Sequence, residues 1–353
     1  MKKLQKKDLI RIKQLHDIYS TDTPQFIEEL EKCPELQRLK EVGQNCGNDY
    51  LNKKIQAFSF NYSRYDHSVG VALIIWKFTQ NVKMSLAGLF HDIATPTFAH
   101  VIDFLNNDAE KQTSTENGTE AIIKNSKEIQ ALLEKYNLNT DDVSNYALYP
   151  IADNKLPKLS ADRLEYSMYM GVSRGIITMQ EASQIFNDII IKKNEFGEDE
   201  MCFKTVDLAK KFTKLALDNG MFMSSGISNM SNQLLADILK IALDRCIITT
   251  EDFSNSSEEE IVKKLNTSTD EKMKKLWVIY QDFDKVYEEQ NFQQVSNKYE
   301  INVKVKHRYI NPLCMQNDEP TRITSIDGEI AKAIEDFAQK NSNKYYSISF
   351  NDD

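Results

Sequence analysis

Apolar residues recur at the three- and four-residue spacing of a helix along most of the chain. The run FIEELEKCPELQRLKEV, residues 26–42, has this spacing and predicts helical structure. In HSVGVALIIWKFTQNV, residues 67–82, apolar residues are the majority, which predicts a buried helix. Alternation of apolar and polar residues is clearest in YEINVKVKHRYINPL, residues 299–313, and predicts a strand. We therefore expect a mainly α protein with a small β element.

Three other segments affect the predicted organisation. Alternating aliphatic and aromatic residues predict a short strand or hairpin within residues 47–64. The spacing of QEASQIFNDIIIKK, residues 180–193, predicts another helix. The charged stretch KNEFGEDEMCF, residues 193–203, then interrupts the pattern. We place a boundary there, between an N-terminal domain of residues 1–195 and a C-terminal helical region of residues 196–353.

Composition favours helices and limits the classes of partner. The 353 residues include only 11 Gly and 7 Pro, too few for a turn-rich all-β protein. The formal net charge of −9 argues against strong nucleic-acid binding, which needs a basic face. The longest apolar stretch, residues 69–76, is too short to span a membrane, and no signal peptide is evident. Five cysteines without C-x-x-C spacing are typical of free thiols, so we expect a cytoplasmic protein.

Histidine and aspartate residues carry the candidate chemistry. Only five histidines occur, and three of them, His67, His91 and His100, lie close together in the sequence; Asp92 directly follows His91. Imidazole nitrogens combined with carboxylate oxygens suit a divalent ion of Mn, Fe, Co, Ni, Zn or Mg. Such a site leaves positions at which water becomes a nucleophile and phosphoryl oxygens are polarised. From the spacing alone, a hydrogen-bonded core or surface pair is the alternative.

Four sequence blocks resemble the HD-domain phosphohydrolases. They are QRLKEVGQN, SRYDHSVGVALI, LAGLFHDIATPTFAHVIDF and KLSADRLEY, in the order of the family motifs, and the likeness covers residues 36–170. It is greatest to the deoxynucleoside triphosphate triphosphohydrolases, which include a SAM-and-HD member. The resemblance implies an HD-domain helical bundle that binds one or two divalent cations through four residues: His67, His91, Asp92 and Asp162.

The resemblance also implies residues that contact the substrate. Arg64 matches a phosphate-binding arginine, Gln44 matches a position that touches the nucleotide, and Tyr166 matches a tyrosine that lines the pocket. A surface salt bridge for Arg64 and core positions for the other two are the alternatives. We expect a small phosphorylated substrate, with a nucleotide favoured. By family likeness alone, a homo-oligomer is an option.

Two histidines of the triphosphohydrolase branch are replaced. Thr95 stands where that branch has a histidine beside the substrate phosphates, and Thr115 replaces a second one, next to Glu116. Threonine does not titrate near neutral pH, so it can donate a hydrogen bond but cannot shuttle protons. The catalytic candidates are therefore Thr95, Asp103 and Glu116, the two carboxylates for proton transfer, with Thr115 at the substrate. The family counterpart of Asp103 orients catalytic histidines, and that of His100 is more structural than catalytic.

Three functions remain open from the sequence. The first is a metal-dependent phosphohydrolase that cleaves a phosphate ester, above all of a nucleotide, with metal-activated water. The second is a dNTP triphosphohydrolase in which other groups replace the missing histidines. The third is a non-hydrolytic HD protein, either a nucleotide-binding regulator or a di-iron oxygenase. Retention of all four metal-binding positions argues against an inert scaffold.

Two segments have a functional and a purely structural interpretation. On the predicted strand, Lys304, Lys306 and Arg308 share one face, where they could meet phosphate or an acidic partner. Lysines that protect a solvated edge strand are the alternative. The polar stretch of residues 106–118 is either a lid over the site or a solvated connection.

Overall fold

The computed structural model describes residues 4–110 and 118–350, and most of these residues are helical. The mainly α fold class expected from the sequence is confirmed. The helices are α1 (Lys6–Tyr19), α2 (Gln25–Leu30), α3 (Pro34–Leu39), α4 (Arg64–Thr79), α5 (Val82–Phe90), α6 (Val101–Leu105), α7 (Thr119–Asn125), α8 (Lys127–Lys135), α9 (Ala161–Ser173), α10 (Met179–Asn187), α11 (Val206–Met223), α12 (Gly226–Asp244), α13 (Asp252–Asn255), α14 (Glu258–Thr267), α15 (Glu271–Asp282), α16 (Ile323–Ile326) and α17 (Gly328–Ala338). The strands are β1 (Ile189–Lys193), β2 (Asp199–Phe203), β3 (Tyr287–Glu289), β4 (Lys298–Lys304), β5 (Leu313–Gln316), β6 (Glu319–Arg322) and β7 (Asn343–Ser349).

Helix α4 lies at the centre of the first half. It begins with a capping box, in which the Ser63 hydroxyl accepts from the Asp66 backbone and the Asp66 carboxylate accepts from the Ser63 backbone. Its residues are buried on every side from Val69 to Ile75, as the apolar run in the sequence predicts. Helices α5 and α9 both pack against α4. This packing brings the start of α4, the end of α5 and the start of α9 together.

Two small sheets complete the fold. The first has the order β1-β2-β5-β6, with β2 and β5 parallel and the other neighbours antiparallel. The second has the order β3-β7-β4 and is antiparallel throughout. In its register, Ile301 of β4 lies opposite Tyr346 of β7, and both side chains are buried.

Within residues 4–110 and 118–350, the apolar side chains form two hydrophobic cores. The first surrounds α4 and α9 and also takes in Ile330 and Phe337 of α17. The second surrounds α12 and α15 and also takes in Phe98 and Val101, next to the HD sequence block. Each core therefore combines residues from both sides of position 195, which lies in the turn between β1 and β2. The division at that position stays a prediction.

Three local predictions differ from the structure. Residues 47–63 form turns and a short 3-10 helix instead of a hairpin, because Ser59 donates its backbone N–H to Ser173 of α9 rather than to a second strand. Helix α10 ends at Asn187, and the three isoleucines that follow it form β1, which pairs with β2. The strand predicted over residues 299–313 ends at Lys304, because its partner β7 starts at Asn343, directly opposite. In the described part of the chain, no helix is both long and apolar enough to cross a membrane.

Candidate metal centre

Three helices bring histidine and aspartate side chains to one point. His67 lies in the first turn of α4, His91 is the residue that ends α5, and Asp162 lies in the first turn of α9. The Nε2 atoms of His67 and His91 are 3.2 Å apart, and Asp162 Oδ1 is 3.1 Å from His67 Nε2. One ligand atom from each of the three residues lies within 4.8 Å of the other two. The predicted convergence of residues distant in sequence is therefore present.

Hydrogen bonds fix which nitrogen of each histidine faces this point. His91 Nδ1 donates to the carbonyl oxygen of Gly88 over 2.7 Å. His67 Nδ1 contacts the carboxylate of Glu165, a residue with no exposed surface. Because each Nδ1 is engaged in this way, Nε2 is the nitrogen of each ring that could bind a cation. Glycine at position 70 makes room for this contact, since a Cβ there would lie 2.8 Å from Glu165 Cγ.

Asp92 lies on the same side of the cleft and is held by two neighbours. Its Oδ2 atom is 3.5 Å from His91 Nε2 and 3.9 Å from His67 Nε2. Arg64 Nη1 donates to Oδ2 over 2.9 Å, and the Thr95 hydroxyl donates to Oδ1 over 2.7 Å. We call His67, His91, Asp92 and Asp162 the metal cluster. Asp92 is thus oriented by Arg64, which was predicted to bind the substrate, and by Thr95, which was predicted to be catalytic.

The charges of the cluster shift its pKa values strongly. Burial alone would lower the pKa of His67, but the carboxylates of Glu165 and Asp162 outweigh burial and raise it to about 10. Burial would raise the pKa of Asp92, whereas the positive charge of Arg64 and the nearby histidines hold it well below its usual range. The hydrogen bond from His67 does the same for the pKa of Asp162. The site therefore favours ionised carboxylates and attracts positive charge.

The donor set fits a divalent cation. Two imidazole nitrogens and two carboxylates converge, and a histidine whose second nitrogen is bound to a carboxylate is a common arrangement around protein metals. The mixture of nitrogen and oxygen ligands is compatible with Mn, Fe, Co, Ni, Zn or Mg and does not select among them. Glu165 was not among the residues predicted from the sequence. Its position three residues after Asp162, on the same helix face, was a signal that could have found it.

The metal cluster borders a cavity of about 700 Å³, a volume typical of small-molecule sites. The three residues expected to contact the substrate, Gln44, Arg64 and Tyr166, all line it. Lys306 and Arg308, from the segment after β4, line it as well. Lys304 instead pairs with Glu110 over 2.7 Å, with both side chains more than half exposed. The shared strand face predicted for the three basic residues is therefore wrong, because the strand ends before Lys306.

The predicted catalytic residues occupy different positions. Thr95 is 2% exposed, and its hydroxyl is engaged with Asp92. Asp103 has no exposed surface and accepts from His100 Nδ1 over 2.9 Å, and His100 lines the cavity. Asp103 is thus linked to the cavity through His100, whose family counterpart was expected to be more structural than catalytic. Thr115, Glu116 and most of the stretch considered as a lid lie outside the described residues.

Comparisons with known proteins agree with this geometry. Residues 64–157 match the family model of the HD domain. The chain is 27% identical over 317 residues to the uncharacterized protein YdhJ of Bacillus subtilis, covering 89% of this chain and 91% of that protein. It is 26% identical over 161 residues to the metal-dependent phosphohydrolase cns2 of Cordyceps militaris, covering 46% of this chain and 45% of that protein.

Solved structures share the overall fold. A hypothetical protein from Aquifex aeolicus superposes with a TM-score of 0.63 at 16% identity, over 92% of this chain and 91% of that chain. A phosphohydrolase from Bacteroides thetaiotaomicron superposes with a TM-score of 0.64 at 14% identity, over 93% of this chain and 96% of that chain. The HD-domain match, the relatives and the metal cluster support a place in the HD-domain metal-dependent phosphohydrolase superfamily. None of these relatives is named as a triphosphohydrolase, so that branch stays a prediction.

Proposed function

We propose that this protein hydrolyses a phosphate ester of a nucleotide with the help of a divalent cation. One observation carries the proposal: the Nε2 atoms of His67 and His91 lie 3.2 Å apart, and Asp162 Oδ1 is 3.1 Å from His67 Nε2. Without a cation the carboxylates hold a proton on His67, and a divalent ion would take the place of this positive charge among the same nitrogen and oxygen atoms. A bound divalent ion would supply Lewis acidity, which favours attack of water on phosphorus at neutral pH.

The residues around the cluster have distinct tasks in this proposal. Arg64 is buried and lines the cavity, and its guanidinium has five N–H donors. It can therefore donate to a phosphoryl oxygen while Nη1 holds Asp92. Thr95 keeps Asp92 oriented through its hydroxyl rather than acting on the substrate. We therefore assign Thr95 to positioning and Arg64 to both positioning and binding.

His100 is the proposed proton acceptor. Its Nδ1 donates to Asp103, which leaves Nε2 to take a proton from the attacking water, and Asp103 then stabilises the imidazolium. Burial lowers the pKa of His100, the hydrogen bond to Asp103 opposes this effect, and the positive charges of Arg64 and Arg308 lower the pKa further. The ring is therefore neutral at pH 7, as a base must be. This pair replaces the two histidines that the sequence lacks.

The remainder of the cavity supports a nucleotide as the ester. Phe58 and Tyr169 line it with parallel rings whose centroids are 5.9 Å apart, and a third aromatic ring, that of Phe222, stands at right angles to Phe58. Gln44 and Asn232 also line the cavity, and their buried side-chain oxygens have no hydrogen-bond partner in the described part of the chain. Aromatic faces beside unsatisfied amide groups suit a planar heterocycle with hydrogen-bonding edges.

The experiment is a metal analysis followed by a substrate screen on the full chain. Purified protein is expected to contain a divalent ion, and it is tested with p-nitrophenyl phosphate, nucleoside monophosphates and dNTPs in Mn, Co, Ni, Fe and Mg. The expected result is metal-dependent release of phosphate, pyrophosphate or triphosphate from a nucleotide. Hydrolysis of p-nitrophenyl phosphate alone would support phosphate-ester hydrolysis and would reject a nucleotide as the substrate. No turnover of any ester, or metal-stimulated oxygen uptake, would reject the proposal.

A further inference from the structure

A short basic segment after β4 forms part of the cavity wall. Residues 305–311, which we call the basic segment, follow the last residue of β4 and precede β5. Val305, Lys306 and Arg308 line the cavity from this segment, on the C-terminal side of the chain, remote in sequence from the HD-domain match. The sequence pattern presented Lys306 and Arg308 only as residues that could meet phosphate or an acidic partner, and the proposed function gives them no task.

Contacts along its length hold the basic segment in place. The backbone of Val305 donates to Ser342 over 3.4 Å, and that of Asn311 donates to the carbonyl of Pro157 over 2.8 Å. Between these anchors, the His307 ring stacks on Phe337 of α17 with centroids 4.8 Å apart. The segment therefore presents its basic side chains from a backbone that is fixed at both ends and in the middle.

Close packing against α11 adds to this restraint. The carbonyl oxygen of Arg308 approaches Gly220 so closely that a Cβ there would lie only 2.1 Å from it. That distance is far below van der Waals contact, so no other residue fits at position 220 unless the segment moves. The glycine lets the backbone of Arg308 lie directly on the helix.

The charge of Arg308 reaches the interior of the site. Burial lowers the pKa of His100 and raises that of Tyr166; the positive charge of Arg308 adds to the first shift and opposes the second, and both residues line the same cavity. Arg64 also lowers the pKa of His100. His100 is thus near two guanidinium groups, one beside the metal cluster and one from the basic segment. A chain with a formal net charge of −9 concentrates positive charge at this point, and such a concentration attracts anions.

We infer that Arg308 and Lys306 form a second anion-binding site, which takes an acidic group of the substrate other than the phosphoryl group at the metal cluster. This inference rests on the proposed function and sharpens it. A substrate with a single phosphate would use only the metal cluster and Arg64. A substrate with two or more phosphates, such as a nucleoside diphosphate or triphosphate, would also use the basic segment, where a planar guanidinium can bind phosphate with two hydrogen bonds.

The test compares inorganic phosphate with inorganic pyrophosphate as calorimetric probes of the metal-loaded full chain, in Mg²⁺-saturated buffer. We expect Arg308→Gln to weaken pyrophosphate binding about tenfold or more and phosphate binding much less, because a charge-assisted hydrogen bond is lost. Lys306→Gln should have the same selectivity with a smaller effect. Lys306 is exposed, so this variant tests the inference even if Arg308→Gln fails to fold. The matched control is Lys304→Gln, which removes a lysine that pairs with Glu110 outside the cavity.

The outcomes separate this inference from the proposed function. If the two variants change the ratio of pyrophosphate to phosphate affinity no more than Lys304→Gln does, the second anion site is rejected and the proposed function stands. If Arg308→Gln weakens both probes equally, Arg308 belongs to the first phosphate site and the inference is also rejected. If the wild-type protein binds neither probe, both the inference and the proposed function fail.

Discussion

The metal cluster and the basic segment border the same cavity but hold their side chains by different means. Each member of the metal cluster is fixed through its side chain, as His67 is by Glu165 and Asp92 is by Arg64 and Thr95. In the basic segment the backbone is fixed, by Asn311 at one end and by the close approach to Gly220 in the middle. The first arrangement sets ligand atoms at defined distances, as a cation requires. The second arrangement fixes only the backbone from which the basic side chains extend into the cavity.

This difference makes the two regions separable by mutation. A substitution in the metal cluster should remove the cation and the reaction together, whereas one in the basic segment should change affinity for the more highly charged ligand. We expect the effects of substitution to decrease from the ligands of the metal cluster to the backbone contacts of the basic segment. Loss of the cation after a substitution in the basic segment, or retention of the cation after loss of a ligand, would contradict this separation.

Removal of a ligand should have the largest effect. We expect His91→Ala or Asp162→Asn to abolish stoichiometric binding of the divalent ion. The value of kcat should fall about 1000-fold or more, because loss of the ligand also removes the Lewis acid. Metal content by mass spectrometry and initial rates give the result. The control Asp141→Asn changes an exposed carboxylate outside the cluster and should alter neither. Full activity of His91→Ala would show that the four residues do not form the metal site.

Replacement of His100 should have the next largest effect. We expect His100→Gln to lower kcat about 100-fold while metal content stays unchanged, since general base catalysis contributes roughly this amount. The pKa of His100 lies below the ordinary histidine value of 6.5. The wild-type rate should therefore fall only at a pH below 6.5, where the ring becomes protonated. This acidic limb should be missing in the variant. If the limb persists in His100→Gln, another group accepts the proton.

The four residues of the metal cluster were predicted from the resemblance of ordered sequence blocks to a known family, because local signals indicate only some of them. His91 and Asp92 are adjacent, and the capped, apolar pattern of α4 places His67 on a buried helix. The helical repeat also relates Asp162 to Glu165, although this relation was not used. What the sequence could not show was that Thr95 and Arg64 both turn towards Asp92, because neighbouring residues do not reveal the direction of a side chain.

The basic segment and the two small sheets depend on contacts between distant residues. Alternation in residues 299–313 predicts a strand, but the strand ends where β7 begins, and nothing near Lys304 encodes the start of β7. The three isoleucines of β1 fit a helix or a strand equally well until pairing with β2 decides between them. Local periodicity thus predicts the central helices, whereas tertiary pairing determines where strands stop.

A change at Glu165 tests the support behind the metal cluster. We expect Glu165→Gln to weaken metal affinity about 10- to 100-fold, because the amide replaces the carboxylate that orients His67 and makes it more basic. At saturating metal most of the activity should return, which distinguishes this variant from loss of a ligand. Calorimetric metal titration gives the affinity. The carboxylate also accepts from the Tyr62 hydroxyl over 2.6 Å, so Tyr62→Phe serves as a control that removes this second contact together with those of the hydroxyl to Asp66 and His16, but leaves the contact to His67. Equal metal affinities of wild type and Glu165→Gln would remove Glu165 from the site.

The smallest effect should come from Gly220, which contacts the basic segment only through its backbone. In Gly220→Ala the new Cβ would lie 2.1 Å from the Arg308 carbonyl, so the segment must shift and take the guanidinium with it. We expect a several-fold rise in Kd for pyrophosphate with unchanged metal content, and a loss of about 1–3 kcal/mol in stability from overpacking. Glycine at position 175 has open space around it but a positive φ, so Gly175→Ala provides a strained control away from Arg308. If Gly220→Ala destabilises the protein and leaves pyrophosphate affinity intact, the backbone contact serves folding alone, and the basic segment needs no fixed position to bind an anion.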